Sequence, residues 1–257
     1  MRLLTVFLAL CIAASSGAQD LSERPLQKLI DCPSAGGPEK GSYDFELRAY
    51  PGGGVLAAFT IGLIDRFALG ISYGGIGVIG YENPDWNPQP GVKVSYRIIN
   101  ESIALPALSV GFNNQGYGAW IDASNRYQFK AKGFYGVVGK NFLIGSLGEF
   151  GGHFGVNSNP MVDDDEGSLD FFAAVDYRMS EQLALIAEYS AAMNDNDDTS
   201  IGQGKGYLNL GLRWTFAERL AIDLHLRDLL INQDNTTIQR GKNFGREIRI
   251  SYVERFN

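Results

Sequence analysis

From residue 42 onward the chain alternates apolar and polar positions with a period of two. Tyr43, Phe45, Leu47 and Ala49 alternate with Asp44, Glu46 and Arg48. The same rhythm returns near the C-terminus. Leu208, Leu210, Leu212, Trp214 and Phe216 alternate with Asn209, Gly211, Arg213 and Thr215. Leu220, Ile222, Leu224 and Leu226 alternate with Ala221, Asp223, His225 and Arg227, and Ile248, Ile250 and Tyr252 with Glu247, Arg249 and Ser251. Strict alternation describes strands with one apolar face and one polar face. The pattern predicts about twelve of them, over 42–50, 54–62, 67–75, 91–99, 105–113, 127–138, 147–156, 168–178, 183–192, 205–216, 219–230 and 245–256. Their lengths are close to the roughly 9–11 residues that cross a bilayer as a tilted strand.

The connections sharpen this. Apart from a short first turn (PGGG, 51–54), tight links near 63–66, 100–104, 139–146, 179–182 and 217–218 alternate with long ones at 76–90, 114–126, 157–167, 193–204 and 231–244. Tight periplasmic turns and longer outer loops are the habit of membrane barrels, and an even strand count puts both termini in the periplasm. A soluble sandwich or lipocalin-like barrel also alternates. However, the last four strands carry their large residues almost only on one face, which would overfill a small barrel's interior. Trp214, Phe216, Tyr252 and Phe256 stand at strand ends, where an aromatic girdle belongs. The expected fold is therefore all-β: an antiparallel up-and-down transmembrane β-barrel with its greasy face outward.

Ahead of the barrel, Arg2, the uncharged stretch Leu3–Ala14 and the small residues Ser15–Ala18 form a secretory signal pattern, with cleavage expected after Ala18. Leu10 before Cys11 argues against lipidation. Residues 1–18 then read as signal peptide, 19–41 as a periplasmic segment and 42–257 as the barrel. Within the segment, LSERPLQKLID (21–31) reads as a short amphipathic helix capped by Ser22, and CPSAGGPEKG (32–41) as a linker. Such a helix would plug the periplasmic mouth. Export through the periplasm to the outer membrane would bring the chain against lipid, lipopolysaccharide and the barrel-assembly machinery.

Composition excludes several alternatives. A net charge of −7 argues against nucleic acid as a partner. The longest uncharged runs after the signal, Ala49–Ile64 and Phe67–Tyr81, fall short of the roughly 18 residues of a spanning helix. Cys32 would be the one cysteine left after cleavage, so no internal disulfide forms. No motif implies a cofactor.

Three stretches carry a family resemblance: ENPDWNPQPGVKVSYRI at 82–98, LPALSVGFNNQGYGAW at 105–120 and GFYGVVGKNF at 133–142. They resemble the YjbH-like outer-membrane barrels linked to exopolysaccharide production or export. The likeness runs from about residue 40 to the C-terminus and implies a non-enzymatic barrel with polysaccharide as a partner. Members of that family are longer, with more than one barrel-like region; this chain has room for one.

The candidate chemistry lies on the polar face. Arg48, Arg97, Lys130, Lys132, Arg178, Arg213, Arg227 and Arg249 should point into the lumen, with Asp44, Glu46, Asp176, Glu188, Asp223, His225 and Glu247. They could line a narrow channel that orients an anionic or sugar solute, as in a diffusion porin. They could equally pair across strands and fill the interior, giving a structural barrel with a blocked lumen. Trp86 in the proline-clamped loop, with Tyr117 and Trp120 in GYGAW, are candidate ligand contacts on outer loops. The chain has two histidines, and neither has a serine beside it at a recognisable spacing, which argues against an outer-membrane hydrolase. The acidic runs at 163–166 and 195–198 do not match an EF-hand loop, so no metal site is expected.

Overall fold

The computed structural model describes residues 28–80, 83–144, 148–163, 169–196, 200–217, 219–233 and 244–256. The expected signal peptide and most of the expected N-terminal helix lie outside them. Among the described residues the strands are β1 (Ser42–Tyr50), β2 (Gly54–Ile64), β3 (Phe67–Ile76), β4 (Asp85–Trp86), β5 (Gly91–Ile99), β6 (Ala107–Asn113), β7 (Tyr117–Ile121), β8 (Arg126–Phe129), β9 (Gly133–Leu143), β10 (Glu149–Ser158), β11 (Asp170–Arg178), β12 (Leu183–Ser190), β13 (Tyr207–Phe216), β14 (Leu220–Arg227) and β15 (Gly245–Arg255). All but β4, β7 and β8 build the wall. Each of these twelve pairs antiparallel with its neighbours in chain order, β1 pairs with β15, and the sheet therefore closes on itself. The chain is a twelve-stranded up-and-down barrel.

The face assignment follows the alternation. On β1, Asp44, Glu46 and Arg48 are buried while Phe45 and Leu47 are exposed. On β11, Asp170, Asp176 and Ala174 are buried while Phe171 and Val175 are exposed. The same inversion runs through Leu210 and Leu224, and through Ile248 and Ile250. A soluble protein puts charge outside. Here charge is inside and an aliphatic belt is outside, the pattern of a barrel whose solvent is lipid. Stacked aromatics mark the rims. Tyr43 packs on Phe256 and Trp214 on Phe216 at the end where β1 begins and β15 finishes, and Tyr73 stacks on Trp86 at the other. Val175, 58 % exposed in the middle of β11, tests the lipid face. Val175→Arg is expected to destabilise the barrel by about 2–4 kcal/mol, read as a lower urea midpoint in lipid vesicles.

Two sequence expectations are corrected. Lys28–Asp31, the described end of the expected helix, are not helical. The backbone here is spent on contacts with the barrel instead of on itself. The expected wall strand over 127–138 is two pieces. Residues up to Phe129 belong to the separate β7–β8 hairpin, and the wall strand β9 starts at Gly133. Gly133 takes φ +62 and leaves no room for a side chain, since a Cβ there would lie 2.5 Å from the Ser158 carbonyl oxygen. The chain turns at that glycine from lumen to wall.

Candidate functional site

The lumen is occupied by the chain itself. A strap, residues 28–41, precedes β1 and runs inside the barrel. Its N-terminal part lies beside the middle of β1, where the Lys28 ammonium is 2.8 Å from both Asp44 and Glu46. It then rises to an apex at Asp31 and Cys32. It descends past Ala35, whose carbonyl accepts from Ser109 at 2.9 Å, and past Gly37, whose carbonyl accepts from Arg97 at 3.2 Å. It leaves beside Gly62, where an added Cβ would lie 2.1 Å from the Glu39 carbonyl oxygen. Gly139 and Gly211 make similar room for Ala35 and Ile30. The wall is thinned to glycine where the strap passes.

At the apex the strap's polar groups are answered by wall side chains. The Glu188 carboxylate accepts the backbone N–H groups of Ile30, Asp31 and Cys32 at 2.9–3.2 Å. Arg249 donates to the carbonyls of Leu29 (2.8 Å) and Ile30 (3.2 Å). The Asp31 carboxylate is clamped between two buried guanidinium groups. Arg48 of β1 donates to it at 2.8 Å, and Arg227 of β14 holds the other oxygen. Both arginines also pair with Glu247 of β15. Burial alone would raise the Asp31 carboxyl, but Arg227 and then Arg48 outweigh it and hold the group well below the usual carboxylate range. Burial, and after it the nearby Glu188 charge, push the Cys32 thiol well up.

The opposite mouth is covered by the β7–β8 hairpin, which folds inward from the long connection between β6 and β9. Buried Arg126 donates to Asp195 at 2.6 Å, and Gln128 donates to Gln233 at 2.6 Å. Tyr117 reaches furthest in. Its ring lies 4.0 Å from the Arg48 guanidinium carbon and 5.1 Å from that of Arg227, and Phe129 covers Arg227 at 4.0 Å. Asp31, Cys32 and Tyr117 lie between two cavities. A cavity of about 90 Å³ lies on the β1–β5 side and another of about 50 Å³ on the β10–β13 side, and all three residues line both.

The sequence-predicted lumen residues that stay on the wall fall into three groups. Arg48, Arg227 and Arg249 meet the strap at its apex. Asp223, fully buried, sits between Arg213 at 2.8 Å and Arg249 at 2.7 Å, and the His225 ring is buried beside them. At the end where β1 begins, Arg178 pairs with Glu149 at 2.7 Å and Arg97 touches the strap. Lys130 leaves the wall altogether. It follows the hairpin and donates to the Asn194 carbonyl. The loop candidates also separate. Trp86 is exposed and stacks on Tyr73, with ring centroids 5.9 Å apart. Tyr117 and Trp120 belong to the inward hairpin, Trp120 packing edge-on against Tyr127, so they are not a shared outer surface with Trp86. The sequence reading missed Asp31, Glu188 and Cys32 as a group. Glu188 was legible as lumenal; nothing local marked the strap as its partner.

A lipid-facing barrel with a charged and self-occupied lumen defines an outer-membrane β-barrel protein. Within that class the chain belongs to the YjbH family, described as exopolysaccharide biosynthesis protein YbjH, whose model matches residues 26–229. No curated protein matches the sequence. Among solved structures, the chain is similar to the KdgM porin (9% identity, 84% of this chain and 99% of that one, TM-score 0.45). It is also similar to the NanC porin (12%, 84% and 100%, TM-score 0.47) and to the COG4313 outer membrane channel from Pseudomonas putida F1 (12%, 91% and 100%, TM-score 0.41).

Proposed function

We propose that this protein is a non-enzymatic outer-membrane barrel that assists exopolysaccharide export or display, and that it rests closed. The family supports the polymer link. The observation that carries the closed state is the Asp31 carboxylate held between Arg48 and Arg227, with the Tyr117 ring against the same pair from the other mouth. A general diffusion porin keeps its polar lumen free for water, whereas here strap and hairpin meet in mid-lumen. Delivery by a signal peptide and handling by the barrel-assembly machinery complete this reading. Deleting the protein from a polymer-secreting host and weighing secreted polysaccharide tests it. Reduced yield, restored by the wild-type chain, is expected; an unchanged yield would sink the polymer role.

Closure should also survive mild acid. The Asp31 pKa is depressed by folding, so its clamp is fully present above the ordinary aspartate range. The clamp is lost only as pH falls through the depressed value. The purified barrel should therefore be as silent in planar bilayers at about pH 5 as at about pH 7. Unitary steps appearing over that interval would mean that a group other than Asp31 governs the strap, the Glu188 carboxylate that accepts its backbone N–H groups being the first to test.

A further inference from the structure

We infer that the seat formed by Arg48, Arg227 and Tyr117 is a carboxylate-binding site for an acidic saccharide, and that the chain's own Asp31 occupies it as a stand-in ligand. The inference rests on the polymer-export reading and adds the chemical class of the polymer and the place where it is read.

The seat is more than Asp31 requires. Arg48 and Arg227 are buried, and both lean on Glu247, a single carboxylate. With Asp31 in place, Arg48 Nη1 and Arg227 Nε still have no hydrogen-bond acceptor among the described residues. Tyr117 and Phe129 lie close over the guanidinium groups. An arginine so covered presents its N–H edge, the geometry that grips a planar carboxylate. The surrounding space offers hydrogen-bond partners for hydroxyl groups. Thr60, Ser72 and Asn113 face one cavity, and Asn157, Ser190 and Asn209 face the other. A sugar ring bearing a carboxylate would find partners there for both its hydroxyl groups and its charge.

Size makes the two occupants exclusive. A cavity of about 150 Å³ holds a benzene-sized molecule, and both spaces here are smaller. A saccharide therefore enters only as the strap leaves, and its carboxylate takes over the charge that Asp31 neutralised. The strap is suited to leave. Its apex is held by side chains and not by a β-ladder.

The test uses the refolded full chain in detergent micelles, with trimannuronate as probe and neutral maltotriose as its control, both read by calorimetry. Wild type should bind trimannuronate weakly. Asp31→Asn should bind it about tenfold more tightly or better, because the uncharged strap competes less well and the competent fraction rises. Tyr117→Ala added to Asp31→Asn should remove that gain, and maltotriose should bind neither. A second measurement needs no variant: saturating trimannuronate should speed maleimide labelling of Cys32 in the wild-type barrel as the strap withdraws. No gain in Asp31→Asn, an equal gain for maltotriose, or labelling of Cys32 unchanged by trimannuronate would each overturn the inference. These failures are separable from failure of the closed-barrel reading. A wild-type barrel that conducts refutes the latter. A barrel silent as wild type, conducting as Asp31→Asn and yet indifferent to trimannuronate refutes only the saccharide seat.

Discussion

Asp31→Ala is expected to turn a silent barrel into a conducting one. In planar bilayers the wild-type protein should give no unitary steps, while the variant should give steps whose selectivity favours anions. Asp31 is the charged anchor at the strap's apex: its carboxylate joins Arg48 on β1 to Arg227 on β14. Breaking a buried ion pair by removing one partner costs about 3–5 kcal/mol, because the remaining charge is left uncompensated. That charge can be rehydrated if the strap swings away and water enters, so most of the cost is expressed as strap release and not as unfolding. With about 1.4 kcal/mol per tenfold in an equilibrium, the open population rises by about two orders of magnitude or more. Anion preference follows because Arg48 and Arg227 are then balanced by Glu247 alone. Asp31→Asn should lie between the two, keeping hydrogen bonds and losing charge. A variant as silent as wild type would show that the remaining contacts, the Lys28 ion pairs and the backbone bonds to Glu188 and Arg249, hold the strap without Asp31.

Asp223→Ala is expected to damage the barrel itself. Asp223 is 0 % exposed and is the shared counter-charge of Arg213 and Arg249, each directly opposite it on a neighbouring strand. Neither arginine can move out, since both belong to the wall. Removing the carboxylate should therefore cost about 3–5 kcal/mol of stability, read as a lower temperature for the heat-modified shift on gels and a lower urea midpoint. The Arg219–Glu254 pair supplies the contrast. Arg219 is largely exposed there, so Glu254→Ala should leave both readings where they were. Equal losses at the two sites would mean that the lumenal charges are hydrated and not paired.

Period-two alternation is a local signal, and it reported the wall well. The parity that placed Arg213, Asp223 and Arg249 on one face also placed them opposite each other, because strand register turns shared parity into contact. The strap carries no such signal. LIDCPSAGG has no period, and its partners Glu188, Arg227 and Arg249 lie more than a hundred residues away, so only the closed barrel brings them together. The hairpin misled for the opposite reason. Tyr127, Phe129 and Ala131 alternate as a wall strand would, yet the first of them is buried under Trp120. Local pattern cannot tell a strand that faces lipid from one that has turned inward. The break was written in Gly133, a residue type common throughout this chain.

The same latch has a bearing on biogenesis. β1 and β15 are the first and last strands, and their pairing is the seam that completes the cylinder. Arg48 stands on one side of that seam and Glu247 on the other, and Asp31 ties Arg48 to the strand beyond. The segment synthesised before the first strand thus becomes a splint across the last joint to be made. A nascent sheet whose leading segment is still outside would meet Arg48, Glu247 and Arg227 with one negative charge too few. Loading the lumen would in this way favour zipping the seam, since the charge that the strap carries is the one the seam lacks.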